Sequence, residues 1–568
     1  MPRLTRTIVT LALSLSLAAP VSAQSVAGPY LAARAAAIEN DFEQAASYFT
    51  RALARDPLNA QLMESVVVAQ LALGEIDKSI PVARTLIGTG ETSQIADLVL
   101  KIASIREGDF DSMLDPQTEG RGIGPLVDGL LQAWAYMGKG EVSEALEAFD
   151  ALSEEVGLQG FALFHKAMAL ASVGDFEGAE AIFAADSAGA AVQTRRGVIA
   201  RVEILSQLER FDEAQELLQT MFAGATDPEI DTVVAKLQAG EPLPFSHVTS
   251  VQDGFAEVFY TVSAALRGET SAEYTVLYAQ AARILRPGHV DALLLTAELL
   301  ENMEQYGLAI DVYRLVPADD PAYHAAELGR AAALRRSDKP EAAIEVLEQL
   351  SRSNGLLATV HSALGDIYRQ QNQFDQAVLS YDRAVKIADE TGASSWFLHY
   401  ARAICHERLG NWEQAESDFR AALEINPGQP QVLNYLGYSL VEKQIKLDEA
   451  LGMIEEAVAA SPDSGYIIDS LGWALYRLGR YEEAVPHMER AVELMAVDPV
   501  VNDHLGDVYW AVGRIREAEF QWARALSFVG RTDSSDDADP DRIRRKLEIG
   551  LDAVLVEEGS EPLKIAHD

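Results

Sequence analysis

The sequence predicts an all-α solenoid built from repeated pairs of helices. Three observations carry that reading. A helix-pair skeleton recurs at near-constant spacing along most of the chain. Inside each copy the apolar residues follow the helical period. The 568 residues contain one cysteine, so no internal disulfide is available and packed apolar surface, from a 48% hydrophobic composition, must hold the chain together.

The first residues are set aside before the fold is read. Arg3 and Arg6 are followed by a small, apolar stretch at 7–19 and then by Pro20, Val21, Ser22 and Ala23. This pattern is that of a secretory signal at 1–23, cut after Ala23. The apolar stretch is shorter than the roughly 20 residues that span a bilayer. A lipid-anchored precursor would carry a Cys at the cut, whereas the cysteine is Cys405. The expectation is an exported, periplasmic protein with no lipid anchor and no integral membrane span. A formal charge of −41 repels phosphate backbones and anionic headgroups, so nucleic acid is not an expected partner. The same charge keeps a long array soluble and attracts basic segments of partners.

The clearest copy of the skeleton is SLGWALYRLGRYEEAVPHMERAV at 470–492, and it returns as HLGDVYWAVGRIREAEFQWARAL at 504–526. A small anchor residue marks the second helix of each unit. It falls at Ala45, Ser79, Met113, Ala145, Ala179 and Ala214, then at Thr275, Ala309, Ala343, Ala377, Ala415, Ala450, Ala484 and Ala518, mostly 34 residues apart. That gives about fourteen units, weakest around Ser79, Met113 and Thr275. Four residues after the anchor comes a bulky side chain on the same helix face, such as Phe49, Phe149, Phe183, Tyr313, Tyr381, Phe419 or Trp522. A wedge of larger side chains at the anchor, or at the Gly twelve residues before it, would cost roughly 1–3 kcal/mol. Pro57, Pro287, Pro321, Pro427 and Pro462 end second helices, and Gly174, Gly410 and Gly479 mark turns inside units.

The register breaks between Ala214 and Thr275. Asp227 there reads as the N-cap of a short helix with Pro228 in its first turn, and EPLPFSHVTSVQDG follows without helical period. The expected organisation is therefore a signal at 1–23, an N-terminal solenoid of about six units at 24–221, a linker at 222–253, a C-terminal solenoid of about eight units at 254–530, and an acidic loop, capping helix and disordered tail at 531–568. The cap is read as one amphipathic helix over 540–554, carrying Ile543, Leu547, Ile549, Leu551 and Val554, with disorder after Glu557. A degenerate unit with a long loop also fits the interruption.

The residues offer little chemistry. The fragment Arg121-Gly122-Ile123-Gly124 lacks the Lys of a phosphate loop. His361, His399 and His406 occupy first-helix packing positions, and Cys405 reads as a buried thiol. No catalytic residue, metal or cofactor is expected.

These motifs resemble the tetratricopeptide repeat family over nearly the whole chain after residue 23, most strongly at 358–526. The resemblance implies a right-handed superhelix whose first helices line a concave groove, and it implies a protein-binding scaffold rather than an enzyme. The groove positions it implies are Asn434, Tyr438, Val441 and Glu442 in one unit, Asp469, Trp473, Tyr476 and Arg477 in the next, and Asp503, Asp507, Trp510 and Ala511 in the last. Trp, Tyr and Arg are the residues that usually carry interface energy, although the same side chains also fit packing against the neighbouring unit. The stretch NYLGYSLVEKQIKLDEALGMIEEAV with DSLGWALYRLGRYEEAV and NDHLGDVYWAVGR is similar to exported bacterial tetratricopeptide adaptors of a periplasmic carboxyl-terminal processing protease, which present peptidoglycan hydrolases to it. That likeness implies other envelope proteins as partners. A glycan- or peptidoglycan-binding protein using the groove aromatics is the alternative.

Overall fold

The computed structural model describes residues 26–114, 122–185, 194–222, 227–530 and 538–563. The signal expected at 1–23, most of the acidic loop and the last five residues lie outside the described residues. Among the described residues there are thirty-one helices and no strand. The fold is the expected α-solenoid of helix pairs: Ala27–Ile38 with Phe42–Leu53 begins it, and Gly465–Arg477 with Tyr481–Leu494 and Pro499–Ala511 with Ile515–Phe528 come late in it.

The packing follows from side-chain size. The anchors Ala145, Ala179, Ala214, Ala309, Ala343, Ala377, Ala415, Ala450, Ala484 and Ala518 are fully buried. Ser79 and Thr275 are equally buried and satisfy their hydroxyls on their own helices, through the Ile76 carbonyl at 3.0 Å and the Ser271 carbonyl at 2.9 Å. Met113 departs from the pattern, because its helix, Asp111–Leu114, buries none of its residues. The glycines before the anchors receive the bulky side chain from the second helix. A Cβ at Gly365 would lie 2.7 Å from Tyr381, at Gly472 2.3 Å from Met488, and at Gly506 2.4 Å from Trp522. Any larger residue there must push out a buried side chain.

The turns inside the units explain the helix boundaries. Gly174, Gly410 and Gly479 take φ of 87°, 77° and 75°, the left-handed region that glycine enters without steric cost. Asn40, Glu209, Glu304, Asp338, Asn372 and Gln444 hold the same conformation at the corresponding turns of other units. A non-glycine residue there costs roughly 1–2 kcal/mol, so tertiary packing of the flanking helices imposes the turn.

Two compact units divide the chain, residues 1–346 and 347–568. The division does not fall at 222–253. That segment belongs to the first unit, where helix Pro228–Gln238 is capped by Asp227, as expected, and the extended stretch after it is pinned to helix Arg195–Gln207. The Leu243 amide donates to Ser206 at 2.7 Å, and Ser246 and His247 both bind the Glu203 carboxylate.

In this first unit the chain turns back on itself. Helices Val251–Leu266 and Ala272–Leu285 pack against the first helices Ala60–Ala72, Gln94–Glu107, Pro125–Lys139 and Gln159–Ser172. Gly254 seats the fully buried Trp134, where a Cβ would come within 2.4 Å of the indole. Phe255 stacks on Phe110 at 5.8 Å, and Gln280 donates to the Ala72 carbonyl at 2.6 Å.

The second unit ends in a cap, but not in the single helix expected. Gly550, at φ 82° and ψ 157°, breaks it into Pro540–Ile549 and Leu551–Glu557. Ile543, Leu551 and Val554 are buried, whereas Ile549 is 38% exposed. Residues 558–563, expected to be disordered, run on from the second helix, and the Leu563 amide donates to Asp552 at 2.9 Å.

Candidate functional site: the inner face of the last repeats

Helices Pro430–Glu442, Gly465–Arg477 and Pro499–Ala511 carry all twelve groove positions singled out from the sequence. Their first-helix Leu and Ala residues fix which face turns to the second helices, and the polar and aromatic positions are left on the other side. Asn434 is 8% exposed, and its Oδ1 is buried without a hydrogen-bond partner. Tyr438 is half-buried one turn further along.

The next two helices interlock. The Trp473 indole N–H donates to Glu442 Oε1 at 2.8 Å, and Arg477 donates to both oxygens of the same carboxylate at 2.8 Å. Trp473 lies between Tyr476 and His504, stacked at 4.8 Å and 4.0 Å. Asp469 is paired with His504 Nδ1 at 3.0 Å. Burial opposes charge on His504, but the Asp469 carboxylate outweighs it and raises the imidazole pKa above its usual value. Glu442, Trp473 and Arg477 stay partly exposed, while Asp469 and Tyr476 are buried. Burial also raises the Tyr476 phenol.

Asp503, Asp507 and Trp510 are covered by the chain itself. Lys546, fully buried, places its ammonium 2.6–2.9 Å from the carboxylate oxygens of Asp503 and Asp507. Asp507 also accepts from the Trp522 indole at 2.8 Å. Trp510 donates to Asp552 at 3.0 Å and lies against Gly550, where a Cβ would fall 2.6 Å from the ring. The structure thus brings Asp469, Trp473, Tyr476 and Arg477 into one cluster with Glu442, and Asp503, Asp507 and Trp510 into a second one closed by the cap.

Sequence reasoning missed His504, Lys546 and Asp552. Lys546 had a signal, since it is a cation three residues from Ile543 on the apolar side of a short amphipathic helix. His504 and Asp552 had none.

It also missed a polar cleft of about 380 Å³ in the first unit, lined among others by Arg195, Arg196, His247, Arg286 and Asp291. Arg196 binds the fully buried Glu257 through two hydrogen bonds of 2.6 and 2.7 Å and Asp291 at 2.5 Å, and His289 lies 3.3 Å from Glu257. Burial would raise the Glu257 pKa, but Arg196 and His289 hold the carboxyl well below the usual carboxylate range. Arg195 is shared between Asp227 and Glu229. These pairs tie the interrupted segment to the helices on both sides. Elsewhere, His361 is buried and faces the Gly355 carbonyl at 3.0 Å, and the buried Cys405 thiol is pushed up to about 12 by burial. Among the described residues no group of three or more His, Cys, Asp or Glu side chains could hold a metal ion.

One tetratricopeptide-repeat family model matches residues 396–429 and 467–495, and a second matches 30–93 and 328–393. Tetratricopeptide repeats are thus matched in four stretches of the chain. Over 96 residues it is 32% identical to a TPR repeat-containing protein of Pseudomonas aeruginosa; the match spans 17% of this chain and only 16% of that relative. Among solved structures, the Cut9–Hcn1 hetero-tetramer of the APC/C aligns over 93% of this chain and 97% of its own, at 13% identity and a TM-score of 0.38. A tetratricopeptide repeat protein of Parabacteroides merdae covers 52% of this chain and 98% of its own, at 15% identity and a TM-score of 0.36. No helix among the described residues is long and apolar enough to cross a membrane.

Proposed function

We propose that this chain is a non-enzymatic scaffold or adaptor of the bacterial periplasm or cell envelope, holding segments of partner proteins against the inner face of its last repeats. The observation that carries the reading is the half-exposed run of Tyr438, Glu442, Trp473 and Arg477 on consecutive first helices, beside the unpartnered Oδ1 of Asn434. Tetratricopeptide arrays generally serve as protein-binding scaffolds, and an aromatic body beside a paired Arg and carboxylate suits an extended or helical segment. The envelope assignment rests on the signal pattern of residues 1–23 and on the likeness of the last third to adaptors of a carboxyl-terminal processing protease. That likeness makes such a protease, or peptidoglycan hydrolases, the partners to look for first.

Crosslinking in living cells, followed by pull-down and mass spectrometry, tests the reading. Trp473→Ala with Arg477→Ala should deplete the captured proteins at least ten-fold while circular dichroism stays unchanged. An unaltered set of captured proteins would remove the groove assignment. Recovery of the chain from the cytoplasm would remove the envelope assignment.

A further inference from the structure

We propose that residues 550–563 are an internal occupant of a binding site for an acidic, amphipathic segment of a partner protein. The segment reads GLDAVLVEEGSEPL, with carboxylates at Asp552, Glu557, Glu558 and Glu561 and no basic residue. What lies beneath it has the opposite character. Asp552 meets the Trp510 indole N–H at 3.0 Å, Glu557 meets Arg545 at 2.6 Å, and Glu558 meets Arg542 at 2.7 Å. Leu551 and Val554 supply the apolar face and are buried. An aromatic anchor flanked by arginines complements an acidic segment.

The occupant is held in an exchangeable way. Its outermost ion pair is exposed, with Arg545 at 45% and Glu557 at 53%, and the Arg542–Glu558 pair is half-exposed, so both contribute little in water. Gly550 alone lets the backbone lie flat on Trp510, at a φ of 82° that other residues rarely adopt. Beside the segment an open cavity of about 570 Å³ is lined by Tyr481, Ala511 and Leu563 and by Arg480 with Glu482 and Glu483, so it offers room for a longer occupant but no net cationic wall. Tethering gives the chain's own segment a millimolar effective concentration, so it screens out weak ligands and yields to tight ones.

The inference rests on the scaffold reading for the source of the competing segment, but its test needs no cellular partner. A fluorescent peptide with the sequence of residues 550–563 is titrated against the full chain and against full-length Gly550→Val, whose side chain collides with Trp510. The variant should bind the peptide at least ten-fold more tightly than the natural chain. Its residues 551–563 should lose hydrogen-exchange protection while 499–528 keep theirs. A peptide carrying Glu557→Lys and Glu558→Lys should bind at least ten-fold more weakly. Equal binding by both chains, equal binding of the charge-reversed peptide, retained protection of 551–563, or loss of protection through 499–528 each overturns the proposal. Partners that fail to crosslink in cells would refute the scaffold reading and leave this titration standing.

Discussion

The two units use one repeat for opposite ends. In the first, the inner faces of the helices from Ala60 to Ser172 are covered by helices Val251–Leu266 and Ala272–Leu285 of the same chain. In the second, the corresponding face keeps Glu442, Trp473 and Arg477 partly exposed, and the cap covers it at Asp503, Asp507 and Trp510. The skeleton that stacks the pairs is common to both. What differs is the side chain set beside it: Trp134, Phe110 and Phe255 meet a glycine and each other, whereas Trp473 meets a carboxylate and an imidazole. An apolar inner face buries itself, and an amphipathic one stays available.

The sharpest way to break this contrast is Trp134→Ala. The indole is fully buried, hydrogen-bonded to His165 at 3.3 Å and edge-on to Phe149 at 6.0 Å. Removing it should cost the first unit about 3–5 kcal/mol. Hydrogen exchange should then rise through 125–139 and 251–266 and stay unchanged in 465–528. A rise confined to Pro125–Lys139 would mean that the covering helices stand without it.

In the second unit the comparable buried element is electrostatic. Lys546→Met leaves Asp503 and Asp507 facing each other with Arg542, 3.6 Å from Asp507, as the remaining cation, a loss of about 3 kcal/mol. Adding Asp503→Asn and Asp507→Asn should restore most of it, because neutral amides need no counter-charge. Chemical denaturation followed at the cap gives the readout. A triple variant no better than the single one would show that the cap is held by Ile543 and Leu551 and not by the charge.

Much of this architecture could be read in advance, and for a physical reason. Anchors such as Ala377 and Ala484, and rings such as Tyr381 and Trp522, are fixed by local size constraints that repeat with the period, so each unit supports the reading of the others. Interactions made once escape the period. The folding back of 251–285 onto the early repeats joins residues as far apart as Ala72 and Gln280, and no recurring pattern marks it. The same holds for the site. The residues of the inner face could be placed, since register places them, but not what they touch: His504 on Trp473 and Asp552 on Trp510 depend on tertiary packing and on a break at Gly550. The groove assignment therefore divides into a cluster that stays partly open and a cluster that the chain closes itself.

Acid separates the units. His165 is buried without a charged partner in contact, and burial lowers its pKa to about 4. A depressed histidine favours folding above its ordinary value of about 6.5, and that contribution is lost as pH falls toward 4, by roughly 2–3 kcal/mol. His504 has the opposite sign. Its raised pKa gives a contribution present in full below about 6.5 and lost as pH rises above it. His165→Asn should flatten the acid slope of the first unit between pH 6.5 and 4. Asp469→Asn should destabilise the second unit by about 1–2 kcal/mol below pH 6, and less at pH 8. Parallel pH profiles for the two units, read by hydrogen exchange, would contradict both assignments.

The smallest effect concerns the turns. Glu304 in the first unit and Asn372 in the second hold φ of 60° and 58° at equivalent positions. Asn enters this region more readily than Glu, because its short side chain can hydrogen-bond locally. Glu304→Gly should therefore stabilise its unit by about 0.5–1 kcal/mol, the relief of backbone strain less the entropy of the freer unfolded chain. Asn372→Gly should yield less, a few tenths of a kcal/mol or nothing. Equal gains at both sites would mean that the flanking helices, and not the side chain in the turn, set the strain.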